Sequence, residues 1–515
     1  MRKSLLAVGA AVILLAATAC GGGSSADTGG SSGAAATGGT FTFAPLVDHY
    51  PWDLGTADGG NEMMYYQAVY DALLRTDDNL QPTPNLATSW SYDDTNTVLT
   101  MKLRDDVKFT DGTVLDAEAV KANLLHNKAG TKSSATQLQD IADVTVVDPT
   151  TVQITLTQPD SDLLTNLGSA PGMIASPKIL DSPTYKTTPV GSGPYTLDTA
   201  NSTEGSVYTF VRNPDYWNKS AFPWDSLVLK PTFDANAGLN AMVSGQVDAG
   251  ILFDNKLQGP VEAAGLKWQL LDANSVNALF LFDRAGTVSA PLGNVKVRQA
   301  LNYAFDRPSL AAALGPNGTS VPTQQNYNTS ASGYDAALDQ TYTYDVAKAK
   351  QLLTEAGYPD GFTLSLPAIA GSETTGANAL IKQGLADIGV TVEYVGLPID
   401  QYIAGLSGGQ FAAAVFILPG SPSGQVTRLQ VAENATWNPF HYTTPEVQTL
   451  LGNIKTASGD DAVKAANQAV NKYLVEQAWN VPLFVGKSPI VTGPRVSFVP
   501  PVDGSIPLWD FKPAS

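Results

Sequence analysis

The sequence is short of the residues that build cross-linked, metal-held or polyanion-binding proteins. It has one cysteine in 515 residues, three histidines, and 30 basic against 48 acidic residues, for a formal charge of −18. A single thiol excludes an intramolecular disulfide, so stability has to come from packing or from a bound ligand. His49, His126 and His441 stand far apart, without H-x-x-x-H or Cys/His spacing, so no metal and no other cofactor is expected. The deficit of positive charge argues against a nucleic-acid partner and against adhesion of the protein surface to anionic lipid. Long apolar runs are scarce too: after Leu5 to Ala19 no run of transmembrane length follows.

That one run carries an address. Arg2 and Lys3 precede it and Ala17-Thr18-Ala19-Cys20 closes it. It is shorter than the ~20 apolar residues of a spanning helix, and it stops at small residues, so 1–19 reads as a signal peptide removed on export. The position of Cys20 resembles the lipobox of bacterial lipoproteins, which implies an acylated thiol as the new N-terminus; Ala17 stands where that motif usually has Leu. Residues 20–39 are then a lipidated cysteine and a tether almost wholly of Gly, Ser, Ala and Thr, with an r.m.s. reach of ~25 Å. The expected location is extracytoplasmic, at the outer face of the cytoplasmic membrane, with contact to the membrane through the N-terminal lipid.

The remainder, about five hundred residues, suffices for two or three domains. Thr40-Phe41-Thr42-Phe43 alternates and breaks at Pro45, which predicts a first strand. Met64 to Leu74 has helical spacing; Val98 to Arg104 alternates before an Asp111-Gly112 turn; Asp116 is a credible N-cap for a helix to about Leu125. Val144 to Val147 and Val152 to Leu156 read as strands around Asp148-Pro149-Thr150-Thr151. Further on, Val297, Leu301 and Phe305 share a helical face, and Asp345 caps a helix that Gly357 ends. Phe362 to Leu366, Thr375 to Ile388 and Val390 to Tyr394 read as strand, helix and strand, which implies a parallel sheet covered by helices. No internal repeat is visible. The fold class is α/β.

Several segments together resemble family 5 of the extracellular solute-binding proteins of ABC importers. They are Leu86-Ala87-Thr88-Ser89-Trp90, Leu103 to Gly112 with Leu115 to Val120, Pro189 to Tyr195, Asn213-Pro214-Asp215-Tyr216-Trp217, Val297 to Arg307, and Ala347 to Tyr358. The resemblance spans about residues 40 to 490. It implies a two-lobed periplasmic-binding-protein-like fold (class II, large cluster, with an extra subdomain in the first lobe) and crossings between lobes near residues 275 and 480. The domains expected are lobe I from 40–56, 177–276 and 480–515, the subdomain from 57–176, and lobe II from 277–479. It also implies a small-molecule or short-peptide ligand, peptide foremost with oligosaccharide or metal chelate as alternatives, partner permease and ATPase subunits, a monomer, and no enzymatic activity. Peptide receptors of this family commonly place an aspartate after an upper-lobe strand to pair the ligand's amine; the corresponding Phe411 to Ser421 has none.

Other patterns carry less. Leu406-Ser407-Gly408-Gly409-Gln410 spells the signature pentapeptide of ABC ATPases, but Gly486-Lys487-Ser488 lacks the first glycine of a phosphate loop. Gly29-Gly30-Ser31-Ser32-Gly33 fits G-x-S-x-G without the strand and helix a nucleophile elbow needs. The adjacent acids Asp105-Asp106 and Asp460-Asp461 would serve a surface-anchored hydrolase, the rival reading, yet such pairs are commonly solvated or capping. In open α/β sheets ligands bind beyond the carboxyl ends of strands. That rule selects Tyr50 and Trp52 after the first strand, Trp437 and Asn438 in the polar stretch of the upper lobe, and Asn277 and Phe280 near the first crossing.

Overall fold

Strand Thr40–Ala44 buries Phe41 and Phe43 completely, as its alternation requires, and pairs in parallel with Ser226–Leu229 on one side and Ala249–Ile251 on the other. In the computed structural model this ladder is the middle of a nine-stranded mixed sheet. The structure describes residues 38–514 except 50, 58–61, 78–80, 253, 316–319, 375, 458 and 502–505. The predicted leader, Cys20, nearly all of the tether and Tyr50 therefore lie outside the described residues. Among the described residues no helix is long and apolar enough to cross a membrane.

Two long antiparallel strands, Lys267–Leu281 and Val481–Thr492, extend the sheet and set the architecture. Lys267 to Asp272 pairs with Thr492 to Lys487; the register then shifts between Asp272 and Val276, and Val276 to Leu279 pairs with Val485 to Val481. On one side of the shift Leu271 and Ile490 pack with Phe41, Trp52 and Phe210. On the other, Leu279, Leu281, Val481 and Leu483 pack with Leu301, Leu353 and Leu364 in a separate core. One ladder thus serves two cores, and its irregularity falls where it passes from the first to the second. That is the stretch in which the resemblance implies the first crossing.

A smaller unit is built on the first lobe. Its antiparallel sheet runs in the order Ala87–Tyr92, Val98–Leu103, Thr151–Leu156, Ile141–Asp148, and helix Ala117–Lys128 packs Val120 and Leu124 against it. Asp116 caps that helix as predicted, Oδ1 accepting the Ala119 N–H at 2.9 Å, and the helix continues past Leu125 to Lys128. His126 of this helix is half-buried, with Nε2 2.7 Å from Asp53 Oδ1. Burial works against it, yet hydrogen bonds from His126 and the Gly55 N–H hold the Asp53 carboxyl below its ordinary range.

Two of the family-like motifs of the first half, Pro189 to Tyr195 and Asn213 to Trp217, meet at one buried carboxylate. Asp71, 3 % exposed, accepts from Ser192 Oγ (3.0 Å), Tyr216 OH (2.9 Å) and Trp217 Nε1 (3.1 Å). Gly191 and Gly193, on either side of Ser192, lie so close to the Val69 backbone that a Cβ would stand 1.9 and 2.5 Å from it. Arg104 stacks its guanidinium 4.1 Å over the Trp217 ring.

In the second lobe the predicted strand–helix–strand is Phe362–Ile369, Gly376–Asp387 and Val390–Leu397, with the two strands parallel. The parallel ladder stops at two strands, because Ala413–Pro419 pairs with Lys267–Leu281 in the mixed sheet. Asp345 caps helix Val346–Glu355 and Gly357 follows it at φ +91°, the left-handed conformation a helix end favours. A further core around Tyr327 and Trp479 is covered by helices Pro445–Thr456 and Asp460–Glu476.

Candidate functional site

A cleft of about 1580 Å³ lies between the two cores. The first lobe contributes the end of its first strand, Phe43 and Pro45, and Gln67 of helix Met63–Val69. Asp160 and Asp162 come from the small unit; Ser423 and Asn467 come from the second lobe. Ser275 and Gly486, from the two long strands at the register shift, also line it. The space exceeds the ~300–1,000 Å³ of ordinary small-molecule pockets and suits an extended ligand with accompanying water.

Its chemistry is mixed polar. Asp162 forms an ion pair with Arg428. Asp160 Oδ1 accepts only the N–H of Asp162, at 2.9 Å, among the described contacts. Burial, reinforced by Asp162 and partly offset by Arg428, pushes the Asp160 carboxyl up to about 6. The Tyr92 hydroxyl, also at the cleft, is buried with no hydrogen-bond partner among the described residues, and burial raises it further above its ordinary range than Asp160 does. No group of three or more potential metal-ligating side chains occurs among the described residues.

Of the residues selected from the sequence, Trp52, Asn277, Phe280, Trp437 and Asn438 are not among those that line this cleft, and Tyr50 lies outside the described residues. Trp52 turns back into the first-lobe core, 1 % exposed, its carbonyl accepting from Tyr70 OH at 3.0 Å. Asn277 sits on the crossing strand at the cleft's edge, with Nδ2 3.4 Å from where a Cβ of Gly486 would be. Phe280 is 2 % exposed and shares an apolar cluster with Trp437, whose ring lies 4.8 Å from that of Phe416. Asn438 is fully buried, donating to the carbonyls of Ala432 (3.1 Å) and Tyr442 (2.9 Å) and accepting from Arg284. The structure thus brings Phe280 and Trp437 into one cluster, with Asn438 next to Trp437 in the chain, and leaves Trp52 in the core of the other lobe.

Sequence reasoning missed the segment after strand Ala413–Pro419, where Ser421, Ser423 and Gln425 line the cleft. The rule of strand carboxyl ends points there as well, but small hydroxyl side chains are too common in this chain to stand out. It also missed Asp160 and Asp162, which sit in a loop between the small unit's sheet and helix Leu163–Leu167.

Comparison with known proteins bears on the whole architecture. The chain is 28 % identical over 449 residues to the glutathione-binding protein GsiB of Escherichia coli, covering 82 % of this chain and 84 % of that one. The Salmonella paratyphi A protein of the same name is 29 % identical over 444 residues, with the same shares covered. Among solved structures, the periplasmic binding protein DppA from Helicobacter pylori in complex with peptide STSA superposes with a TM-score of 0.80 at 21 % identity, over 93 % of this chain and 98 % of that one. NikA from Brucella suis in complex with Fe(III)-EDTA does so with a TM-score of 0.79 at 22 % identity, over 92 % and 100 %. Those two likenesses establish the fold as the two-lobed binding-protein architecture. A family model for the middle part of the bacterial extracellular solute-binding proteins of family 5 matches residues 81–435, and the chain therefore belongs to that family.

Proposed function

We propose that this protein is the lipid-anchored receptor of an ABC importer: it captures a short peptide or a polar solute of similar size by closing two lobes, and delivers it to a permease driven by an ATPase. The observation that carries the reading is the cleft of about 1580 Å³ with walls from two separate cores that share one interrupted ladder. A β-bulge in a shared ladder is a place where two rigid bodies can rotate with little loss of packing. Ligand contacts from both walls then favour the closed population over the open one. The domain limits follow the same division: 40–56, 177–276 and 480–515 for the first lobe, 57–176 for the subdomain, 277–479 for the second lobe.

Supporting a peptide are the names of the relatives, since glutathione is itself a tripeptide and the DppA structure holds STSA. On this reading a removed leader, an acylated Cys20 and the tether keep the body outside the cytoplasmic membrane, and the body acts as a monomer. Asn277, Phe280, Trp437 and Asn438 act by framing the cleft, and Tyr50 and Trp52 by shaping the first-lobe side; catalysis is no part of the function. Native mass spectrometry of the protein purified from its own cells is expected to reveal a bound small solute. The same solute should raise stability by ~2.7 kcal/mol at a hundred times its dissociation constant. Turnover of peptides by the purified protein, or unimpaired uptake after deletion, would defeat the proposal.

A further inference from the structure

The ion pair between Asp162 and Arg428 joins residues 266 positions apart in sequence, one in the small unit and the other in the second lobe. Both partners are largely shielded from water, with side chains 18 % and 17 % exposed. Asp162 stands at the N-cap of helix Leu163–Leu167, where an aspartate ordinarily accepts a backbone N–H of the first turn, yet it makes no such bond. Its carboxylate is turned across to Arg428 instead. Local propensity has been given up for a distant contact.

The surface that receives the carboxylate is shaped for it. Gly424, in the short helix Ser423–Val426, lies so near that a Cβ would stand 1.4 Å from Asp162 Oδ2. Any side chain there would push the carboxylate out of its seat. Arg428 follows one turn later, in helix Thr427–Val431. A second contact, Lys455 Nζ to Gln158 Oε1 at 3.0 Å, joins the same two units nearby in sequence. Asp160 and Asp162 on one side and Ser423 and Gln425 on the other all line the cleft, so the contact forms part of its rim.

Resting on the two-lobe reading above, we propose that the small unit is a working part of the clamp: the Asp162 carboxylate, seated on Gly424 and paired with Arg428, is a clasp that forms when the cleft closes and breaks when it opens. The crossing strands supply the hinge, and the clasp supplies a separate closing contact carried by side chains. Closure is therefore set by a charge pair as well as by whatever the cleft holds. Because a paired, shielded charge is costly to leave alone, loss of either partner penalises the closed state specifically. The open state, with both groups in water, is little affected.

The test needs no ligand, so its failure is separable from failure of the solute-receptor reading, which the search for a bound solute addresses. In the full chain carrying Cys20→Ser, spin labels on exposed Glu118→Cys and Lys382→Cys report the distance between the small unit and the second lobe by pulsed electron resonance. Asp162→Asn, nearly isosteric, is expected to lower the ratio of short to long distances roughly fivefold, and Arg428→Ala to do the same. Gly424→Leu, which leaves both charges in place, should open the cleft as a wedge. A distance distribution unchanged by Asp162→Asn, in protein whose circular dichroism matches the parent, overturns the clasp, even if the wedge opens it. Should Arg428→Ala fail to fold, Asp162→Asn and Gly424→Leu decide the matter.

Discussion

The two lobes fasten distant segments with buried charges of opposite sign. The first lobe buries an anion, Asp71, and surrounds it with side-chain donors from two returning segments, Ser192 and the pair Tyr216 and Trp217. The second lobe buries cations and surrounds them mostly with backbone carbonyls. Arg284 donates to Trp479 O (2.9 Å) and lies 4.3 Å over the Trp479 ring; Arg298 donates to Leu292 O (2.9 Å) and Gln477 O (3.0 Å); Arg307 donates to Pro482 O (2.7 Å) and Asn302 O (3.0 Å). In each case the charge fastens a segment that returns from far along the chain. A carboxylate accepts from whichever hydroxyl or indole reaches it, whereas a guanidinium presents a fixed fork and demands carbonyls in fixed places. The second lobe's joints are the less forgiving ones.

The sharpest test of that contrast is at Arg307, which burial pushes down to about 10 without removing its charge at neutral pH. Arg307→Ala strands several carbonyls and is expected to cost about 3–5 kcal/mol in urea unfolding, with Arg307→Lys recovering only a minor part. If the lysine variant were near the parent in stability, the fork would be irrelevant and the contrast would fail. At Asp71 the expected loss is smaller. Asp71→Asn keeps one acceptor oxygen for three donors and should cost about 2 kcal/mol, and Tyr216→Phe about 1 kcal/mol, by the same measurement.

Weaker effects come from carboxylates outside the two cores. Asp53, held below its ordinary value with the help of His126, stabilises the fold above that ordinary value and loses its contribution as pH falls through the lowered one. His126→Ala should therefore cost roughly 1 kcal/mol at pH 7 and nothing below the point where Asp53 is protonated, as denaturation at both pH values will report. Asp160 has the opposite sign. With its carboxyl raised to about 6, the folded protein holds a proton there that the unfolded chain has released, so stability declines as pH rises from its ordinary value toward 6 and levels off above. Asp160→Asn should flatten that slope in a series of unfolding curves; an unchanged slope would mean that the cleft leaves this carboxylate solvated.

Much of the scaffold was legible in the sequence, since alternation, capping aspartates and turn glycines act locally. Asp116, Asp345 and Gly357 do what their types and positions predict. Several of the family-like motifs form joints of the scaffold: Ser192, Tyr216 and Trp217 converge on Asp71, and Arg298 and Arg307 bind backbone carbonyls of the second lobe and the returning strand. The cleft was harder to read, because it depends on which way a loop side chain turns. Trp52 follows the right strand but points into the core. Nothing local marks His126 as a half-buried residue, because its partner, Asp53, is 73 positions away. Nothing local to Asp162 reveals that it serves Arg428, 266 positions away.

One joint bears on how the molecule comes into being. Phe511 is completely buried, stacked 5.0 Å from Phe41 and 4.5 Å from Phe498, and its carbonyl accepts the Trp224 indole N–H at 2.8 Å. The first strand therefore waits for almost the entire chain to be synthesised before its aromatic face is covered. A first lobe whose core takes in residue 511 cannot seal until that distal segment has joined it, so its closure is a late, long-range event of folding.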